Sequence, residues 1–212
     1  MKQNQRPRTR KLSDEQINHW YHYNLDLVSR TLYFGPWHSA GDLLSQDEER
    51  VWCVDDFSCQ NLIKGLHALE QEGQDPIIIN WFSYGGDWDA GMAMYDYIKT
   101  CSSYVTIRCF GRVRSMGTIV LQAADERLLS KNCLFLLHYG TAASSETHAK
   151  DFEMYAEELK KSNSIMEDIY LESIREKKPR FSRERLQELI RFDKYLKPEE
   201  VIEIGLADGI IA

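Results

Sequence analysis

The feature that most constrains the fold is a unit of apolar strand, glycine-marked turn and helix that occurs twice in succession. The first unit reads "PIIINWF", "SYGGDWDAG" and "MAMYDYIKT", and the second reads "YVTIRCF", "GRVR" and "SMGTIVLQAA". Buried-type strands that alternate with helices are typical of a parallel sheet, because each helix returns the chain to the same edge. The sequence therefore predicts an α/β fold whose parallel sheet is covered by helices on both faces.

Two further helices and a polar insertion precede this centre. Ser13 and Gln16 stand three residues apart, as in a capping box, and predict a helix over about 14–28. Asp56 is placed to cap a second helix. Residues 36–50 are polar and rich in turn-forming side chains, which indicates an insertion. The segment "CLFLLHYG" adds strand material after the second unit.

A long, heavily charged helical segment follows, from "SETHAK" to the helix-ending Pro179. It is longer than the mean helix of about 12 residues, so we expect it to project from the domain. We expect the apolar stripe along this helix to pack against another subunit, through Phe152, Tyr155, Leu159 and Met166.

Composition limits the compartment in which such a chain functions and the partners that it can bind. No apolar run approaches the roughly 20 residues of a membrane-spanning helix, and a formal net charge of −7 argues against a nucleic-acid partner. The five cysteines are odd in number and lack a C-x-x-C pair, which is typical of reduced thiols in the cytoplasm. His19 and His22 lack a third ligand at a suitable spacing, so we expect neither a metal nor another cofactor.

The first dozen residues differ from the rest. Residues 1–12 carry five basic side chains, no acidic side chain and no apolar segment, so we expect a flexible arm rather than a secretory signal. Residues 13–212 suit a single domain with a sizeable core.

Candidate catalytic residues follow the strands of the predicted sheet. In a parallel sheet, sites form where strands end and backbone N–H groups point outward. Ser115 stands at such a turn, where it is either the cap of the next helix or a nucleophile. His138 ends the next apolar strand, and Asp193 precedes a loop that can return to the same edge. The two residues could serve as a base and as the carboxylate that orients it.

Backbone N–H groups near Ser115 could stabilise a negatively charged oxygen. The N–H of Met116 lies at the start of a helix, and Gly86 lacks a Cβ, so its backbone can approach the same point. Two such donors make an oxyanion hole. These residue types together indicate acyl transfer.

Four short motifs in a fixed order resemble the Clp-type serine peptidases, the proteolytic chambers of the Clp system. They are "INWFSYGGDWDAGMAMYDYI", "GRVRSMG", "FLLHYG" and "RFDKYLKPEEVIEIGLADGII", and the similarity extends over about 31–212. The resemblance implies that Ser115 is the nucleophile, His138 the base and Asp193 its orienting residue. It also implies that Gly86 and Met116 form an oxyanion hole. The substrate-binding edge that it implies consists of Gly85, Gly86, Tyr139 and Gly140.

The resemblance further implies a fold and an assembly. The fold is a crotonase-like ββα spiral of the α/β class with a projecting handle helix. The subunits form a homo-oligomer of stacked heptameric rings that enclose the active sites. An ATP-dependent unfoldase feeds in unfolded polypeptides, whereas the peptidase subunit itself needs no ATP to cleave peptides.

Several positions differ from the family pattern. Tyr84 replaces the proline of a Ser-Pro-Gly-Gly turn, Arg114 replaces a small residue before the serine, and Arg191-Phe192 replaces an acidic-basic pair before the aspartate. Arg114 either acts on His138 through its charge or binds a carboxylate across a subunit contact. Two other functions stay open: a crotonase-type acyl-CoA enzyme, which shares the spiral and the oxyanion hole, and a catalytically silent ring subunit.

Overall fold

Helices and strands alternate along the part of the chain that the computed structural model describes, residues 12–34, 53–141 and 148–211. The insertion predicted over 36–50 lies outside the described residues, and so does the basic arm predicted over 1–12, except for Leu12. The helices of the described ranges are α1 (Asp14–Tyr23), α2 (Asp56–Gln71), α3 (Trp88–Thr100), α4 (Met116–Leu121), α5 (Ala149–Lys177), α6 (Arg183–Leu189) and α7 (Pro198–Ile204). The strands are β1 (Leu25–Asp26), β2 (Thr31–Phe34), β3 (Ile77–Ser83), β4 (Val105–Arg114), β5 (Glu126–Leu129), β6 (Leu134–Leu137), β7 (Lys194–Leu196) and β8 (Gly209–Ile210).

The strands form one mixed sheet with a parallel centre. The order is β1-β2-β3-β4-β5-β8, in which β1 is antiparallel to β2 and the other neighbours are parallel. The second half of β4 pairs with β6 instead of β5, and β6 pairs antiparallel with β7. Parallel strands joined through helices confirm the α/β class that the sequence predicts.

Gly111 lies within β4, between the part of the strand that pairs with β5 and the part that pairs with β6. The strand runs without interruption to Arg114, so the prediction of a separate turn in "GRVR" is wrong. The φ of Gly111 is 67°, in the left-handed region, and a Cβ there would lie 2.7 Å from the ring of Phe82. The glycine therefore marks a register irregularity within a strand, and glycine is favoured there because a side chain would add both backbone strain and a clash.

The two central strands of the sheet bury alternate side chains in the core. Along β3, buried and partly exposed residues alternate, with Ile77, Ile79 and Trp81 buried. The first part of β4 has the same period, with Ile107 and Cys109 buried. In these two strands one face is therefore buried more deeply than the other, whereas Phe135, Leu136 and Leu137 of β6 are all buried, so both faces are covered at that strand. The apolar run "PIIINWF" suggested a strand buried on both faces, but within the described ranges its alternate side chains remain partly exposed.

Two predicted helix boundaries also need correction. The capping box at the start of α1 is present, but the helix ends at Tyr23 rather than near residue 28. Asn24 adopts a left-handed conformation with φ of 53°, which ends the helix and turns the chain into β1. The second helix is capped by Asp55 rather than Asp56, because the Asp55 carboxylate accepts a first-turn N–H at 2.7 Å.

The long helix α5 has an exposed half and a buried half. Phe152 and Tyr155 in the first half are 53% and 51% exposed, whereas Met166 and Ile174 in the second half lie in the core. The predicted projection of this helix is confirmed for its first half. The placement of Met166 on a stripe against another subunit is wrong, because the helix joins the core of its own chain from that residue onward. None of the described helices has the length and apolar character needed to cross a membrane.

Candidate active site

Ser115 occupies a one-residue turn between β4 and α4. Its φ of 50° and ψ of −129° lie in a region that residues with a side chain rarely adopt. Hydrogen bonds hold this conformation on both sides. The Ser115 N–H donates to the Leu136 carbonyl at 3.0 Å, and the Ser115 carbonyl accepts from the N–H and the hydroxyl of Thr118 at 2.8 and 2.6 Å. Backbone strain that neighbouring contacts enforce is concentrated at functional sites, so the strain supports a functional role for this serine.

The Ser115 hydroxyl does not cap the helix that follows. Ser115 stands at the N-cap of α4, yet its side chain accepts no hydrogen bond from the first turn. Ser182 at the N-cap of α6 shows the contrast, because its hydroxyl accepts the Arg185 N–H at 3.2 Å. The sequence left two roles open for Ser115, helix cap and nucleophile. The geometry does not support the role of helix cap.

The glycine turn after β3 lies directly against Ser115. A Cβ on Gly85 would come within 2.5 Å of the Ser115 Cβ, and a Cβ on Gly86 within 2.1 Å of the Val54 carbonyl oxygen. The φ angles of these glycines are 95° and 145°. The turn is also tied to the segment before α2, because the Val54 N–H donates to the Gly85 carbonyl at 2.7 Å. Only residues without a Cβ allow this approach of two backbones.

Two backbone N–H groups beside the serine are candidates for binding an oxyanion. Among the described residues, the N–H groups of Gly86 and Met116 enter none of the backbone hydrogen bonds found in turns and caps. Met116 is the first residue of α4, where N–H groups have no intrahelical acceptor. Both residues line the same cleft as Ser115. The arrangement can present two donors to an oxygen atom that develops negative charge near the serine.

Strand pairing brings His138 and Asp193 to the same end of the sheet. In the antiparallel pair of β6 and β7, Leu137 lies opposite Lys194, so the next pair in this register is His138 opposite Asp193. Directly opposed residues of an antiparallel pair have Cβ atoms about 5 Å apart and share a face. Ser115 is attached to the same strand through its hydrogen bond to the β6 backbone. The tertiary structure thus gathers three residues from distant parts of the chain.

The three side chains differ in exposure, and no hydrogen bond connects them in the described structure. His138 is half-buried and lines a cleft with Ser115, whereas Asp193 is exposed. Within the described residues, no hydrogen bond links Ser115 to His138 or His138 to Asp193. Catalytic hydrogen bonds are often long in a free enzyme and shorten when substrate binds. A working triad would require the Asp193 carboxylate to come within hydrogen-bond distance of His138.

A cleft of about 740 Å³ opens in front of Ser115 and His138. Such a volume accommodates a small ligand or the side chains of a short peptide. No group of three or more histidine, cysteine, aspartate or glutamate residues within the described ranges could hold a metal ion. Apolar and aromatic side chains from the helices line the cleft: Trp88, Met116, Ile119, Tyr155, Leu159, Ile165 and Met166.

The handle helix α5 supplies cleft residues that the sequence analysis did not assign to the site. Tyr155, Leu159 and Asn163 follow one another at intervals of four and all line the cleft. The Asn163 Oδ1 accepts the Gly140 N–H at 2.9 Å, which anchors the segment after His138. The interval of four was the available signal, but it fits a subunit contact equally well. Only the packing of the helix against α4 and the segment after β6 reveals that these residues face the cleft.

Tyr139 points to the base of the handle helix. Its hydroxyl donates to the buried Glu167 at 2.7 Å, and Arg183 and Gln187 bind the same carboxylate. Burial, together with the hydrogen bond to Glu167, raises the pKa of the Tyr139 hydroxyl. The Tyr139 side chain therefore connects strand β6 to helices α5 and α6. Among the residues expected at the substrate-binding edge, those that line the cleft are Gly86 and Gly140.

Known proteins resemble this chain over most of its length. A protein-family model described as Clp protease matches residues 51–212, which include Ser115, His138 and Asp193. The ATP-dependent Clp protease proteolytic subunit 1 of Chlamydia muridarum is 31% identical over 185 residues, which cover 82% of this chain and 93% of that protein. The protein of the same name from Chlamydia trachomatis is 32% identical with the same coverage. The ATP-dependent Clp protease proteolytic subunit of Deinococcus radiodurans is 31% identical over 161 residues, which cover 74% of this chain and 76% of that protein.

Proposed function

The chain belongs to the Clp protease family and is a Clp-type serine peptidase, and we propose that Ser115, His138 and Asp193 form its catalytic triad. The observation that carries this proposal is the geometry of Ser115. The serine sits in a strained turn between a strand and a helix, its hydroxyl caps nothing, and it shares a cleft with His138. These features support a nucleophile whose base comes within hydrogen-bond reach when substrate binds.

The triad cleaves a peptide bond in two steps. In the first, His138 accepts the Ser115 hydroxyl proton while the serine oxygen attacks the peptide carbonyl carbon, and Asp193 stabilises the imidazolium. The tetrahedral intermediate then collapses, the C–N bond breaks, and His138 gives the proton to the departing amine. In the second step, His138 takes a proton from water, the resulting hydroxide attacks the acyl-enzyme, and the acid product leaves as Ser115 regains its proton.

The backbone around the serine stabilises the oxyanion of each tetrahedral intermediate. The N–H groups of Gly86 and Met116 converge on this oxygen in the proposal, because both residues line the cleft beside Ser115. Such donors contribute most when they point to the place where negative charge develops. The strained Ser115 turn and the glycine turn hold them in place before substrate arrives.

We further propose substrates and partners for this peptidase. Short peptides and unfolded polypeptides fit the cleft, because both can enter as extended chains. The exposed apolar residues Phe152, Met154 and Tyr155 on the handle support self-association of this chain. In the proposal, the copies form stacked heptameric rings in the cytoplasm. An ATP-dependent unfoldase would deliver folded proteins. Residues 13–212 would form one peptidase domain, with residues 1–12 as a basic arm.

Replacement of the proposed nucleophile tests the triad. Ser115→Ala should lower peptide hydrolysis to the limit of detection and abolish labelling by a fluorophosphonate probe, with little change in stability because the hydroxyl caps nothing. Ser182→Ala is the matched control, since it removes a hydroxyl that does cap a helix. That variant should lose about 1 kcal/mol of stability and keep full activity. Undiminished hydrolysis by Ser115→Ala would refute the assignment.

The same experiment addresses the other two functions considered. Neither the site nor the similar proteins favour an acyl-CoA enzyme or a silent ring subunit. A silent subunit would resist the fluorophosphonate probe even as the wild-type protein. An acyl-CoA enzyme would bind coenzyme A in a calorimetric titration, and we expect no such binding.

A further inference from the structure

Aromatic rings and guanidinium groups alternate on the partly exposed face of the sheet. The Arg112 guanidinium carbon lies 5.4 Å from the ring centroid of Phe82 and 4.5 Å from that of Tyr84. The Arg114 guanidinium carbon lies 5.6 Å from the Tyr84 centroid and 5.8 Å from the Tyr195 centroid. Each of these distances is within the range of cation–π attraction. We call these five residues the aromatic–arginine ladder.

The ladder joins the strands that precede the glycine turn and Ser115 to the strand that follows Asp193. Tyr84 immediately precedes the glycine turn, and Arg114 immediately precedes Ser115. Tyr195 lies in β7, two residues after Asp193. Pairing through β6 sets the register, because Leu136 stands beside Arg114 on one side and beside Tyr195 on the other. One guanidinium therefore contacts the segments that present the oxyanion donor and the orienting carboxylate.

Within the described part of the chain, Arg114 contacts aromatic rings rather than a carboxylate. Its Nε is buried and has no hydrogen-bond partner among the described residues, and no described carboxylate forms an ion pair with it. A cation that has lost much of its water is attracted more strongly to an aromatic face than an exposed one is. The side chain also lies away from the cleft that its neighbour Ser115 lines. The Arg114 side chain therefore lies next to the site but does not line the cleft.

The strand that carries Tyr195 needs such a contact. β7 has three residues, pairs only with β6 in the described sheet, and follows the exposed residues Phe192 and Asp193. A short edge strand held on one side is easily displaced. The contact of the Tyr195 ring with the Arg114 guanidinium restrains this strand from the open face of the sheet.

We propose that Arg114 is a positioning residue, whose guanidinium between the Tyr84 and Tyr195 rings holds the glycine turn and the Asp193 segment in register with Ser115. This inference rests on the proposed triad. Its physical basis is that a displacement of about 1 Å in a catalytic group can cost about 100-fold in rate. Arg112 contacts Tyr84 but not Tyr195, so the link between the two segments depends on Arg114.

Steady-state kinetics on a short peptide tests the proposal. Arg114→Met and Tyr195→Leu should each lower kcat by about 10- to 100-fold with KM changed less than about threefold, because substrate contacts remain while alignment is lost. Tyr195→Phe keeps the ring and should retain nearly the wild-type kcat. Arg108→Met is the matched control, since Arg108 lies over the Phe110 ring at 5.8 Å on the same strand and face but far from Ser115 in sequence.

Two further measurements keep the test decisive. The double variant Arg114→Met/Tyr195→Leu should lose no more kcat than the stronger single variant, because both changes remove one contact. Hydrogen exchange should rise at residues 84–86 and 193–196 in Arg114→Met and stay unchanged there in Arg108→Met. Light scattering must show the wild-type oligomer in each variant.

Several results would overturn the proposal. These are multiplicative losses in the double variant, wild-type kcat in Tyr195→Leu, or a loss of activity in Arg114→Met that follows dissociation of the oligomer. If the wild-type protein cleaves no peptide, the proposed triad fails, and the exchange data still decide whether Arg114 restrains the two segments. Unchanged exchange in Arg114→Met would then refute the positioning role by itself.

Discussion

At the scale of single residues, the site depends on backbone conformations that few side chains tolerate. Ser115 has a positive φ despite its side chain, and the glycine turn touches it at Gly85. A strained residue of this kind costs on the order of 1–3 kcal/mol, which the hydrogen bonds around Ser115 must offset. The contact between the two turns means that a change in one should disturb the other.

Substitution of Gly85 tests this contact. In Gly85→Ala, the added Cβ would lie 2.5 Å from the Ser115 Cβ and 3.1 Å from its Oγ, so the serine must move. We expect peptide hydrolysis and fluorophosphonate labelling to fall at least about 100-fold. Gly73→Ala is the control, because Gly73 also has a positive φ, 141°, but nothing lies within 4 Å of its added Cβ. It should lose some stability and keep its activity. Wild-type labelling of Gly85→Ala would show that the turns are not in contact.

At the scale of elements, a cluster of ion pairs holds strand β8 and the end of the handle helix to the sheet. Arg127 on β5 is only 4% exposed and donates from Nε to the Asp208 carboxylate at 2.9 Å. Lys177 at the end of α5 binds the same carboxylate at 3.0 Å. Burial by itself would raise the pKa of Asp208, but hydrogen bonds from Arg127 and Lys177 outweigh it and lower the pKa to about 2.

The lowered pKa of Asp208 makes the free energy of unfolding depend on pH. The folded pKa lies below the ordinary value of 3.8, so the stabilising contribution is present above about pH 4 and is lost as the pH falls towards 2. We expect Asp208→Asn to lose at least about 2 kcal/mol at pH 7, because Arg127 stays buried without its main partner. The difference from wild type should shrink between pH 4 and 2. Urea unfolding across this range measures it.

Glu176 provides a matched control for this prediction. Its carboxylate lies 3.2 Å from Arg127, but its side chain is 62% exposed. Glu176→Gln should therefore cost less than about 1 kcal/mol at pH 7, since water screens an exposed pair. Equal losses in Asp208→Asn and Glu176→Gln would show that burial does not distinguish the two pairs.

At the scale of the whole molecule, the exposed half of the handle helix predicts self-association. Phe152, Met154 and Tyr155 are each more than half exposed on a helix that extends beyond the core of its chain. Apolar side chains grouped in this way commonly mark a subunit contact. Some of the same helix also lines the cleft, so assembly and the shape of the site are connected through one element.

Size-exclusion chromatography with light scattering tests this prediction. The wild-type protein should be an oligomer at micromolar concentration, and Phe152→Ser/Met154→Ser should shift it towards the 24.8 kDa monomer, because the change removes apolar area from the contact. Tyr104→Ser is the control, since Tyr104 is similarly exposed at 51% but lies in the turn before β4. A wild-type protein that is monomeric throughout would contradict the subunit contact.

Features that depend on near neighbours along the chain could be predicted from the sequence. The order of strands and helices followed from apolar periodicity, and the start of α1 followed from Ser13 and Gln16, because these signals arise within about four residues. The ordered motifs were also enough to place the chain among the Clp-type peptidases and to select Ser115, His138 and Asp193 as candidates. Each candidate stood at the end of a recognisable element.

Features that depend on contacts between distant segments became visible only in the folded chain. Gly111 looked like a turn because its sequence neighbours do not reveal that the ring of Phe82 packs on a continuous strand there. Met166 and Leu159 share one helical stripe, yet only packing shows that Met166 is buried while Leu159 is partly exposed. The same holds for Arg114, whose ring partners come from two other strands. Periodicity specifies which side chains share a face, but what that face meets is decided by contacts between residues far apart in the chain.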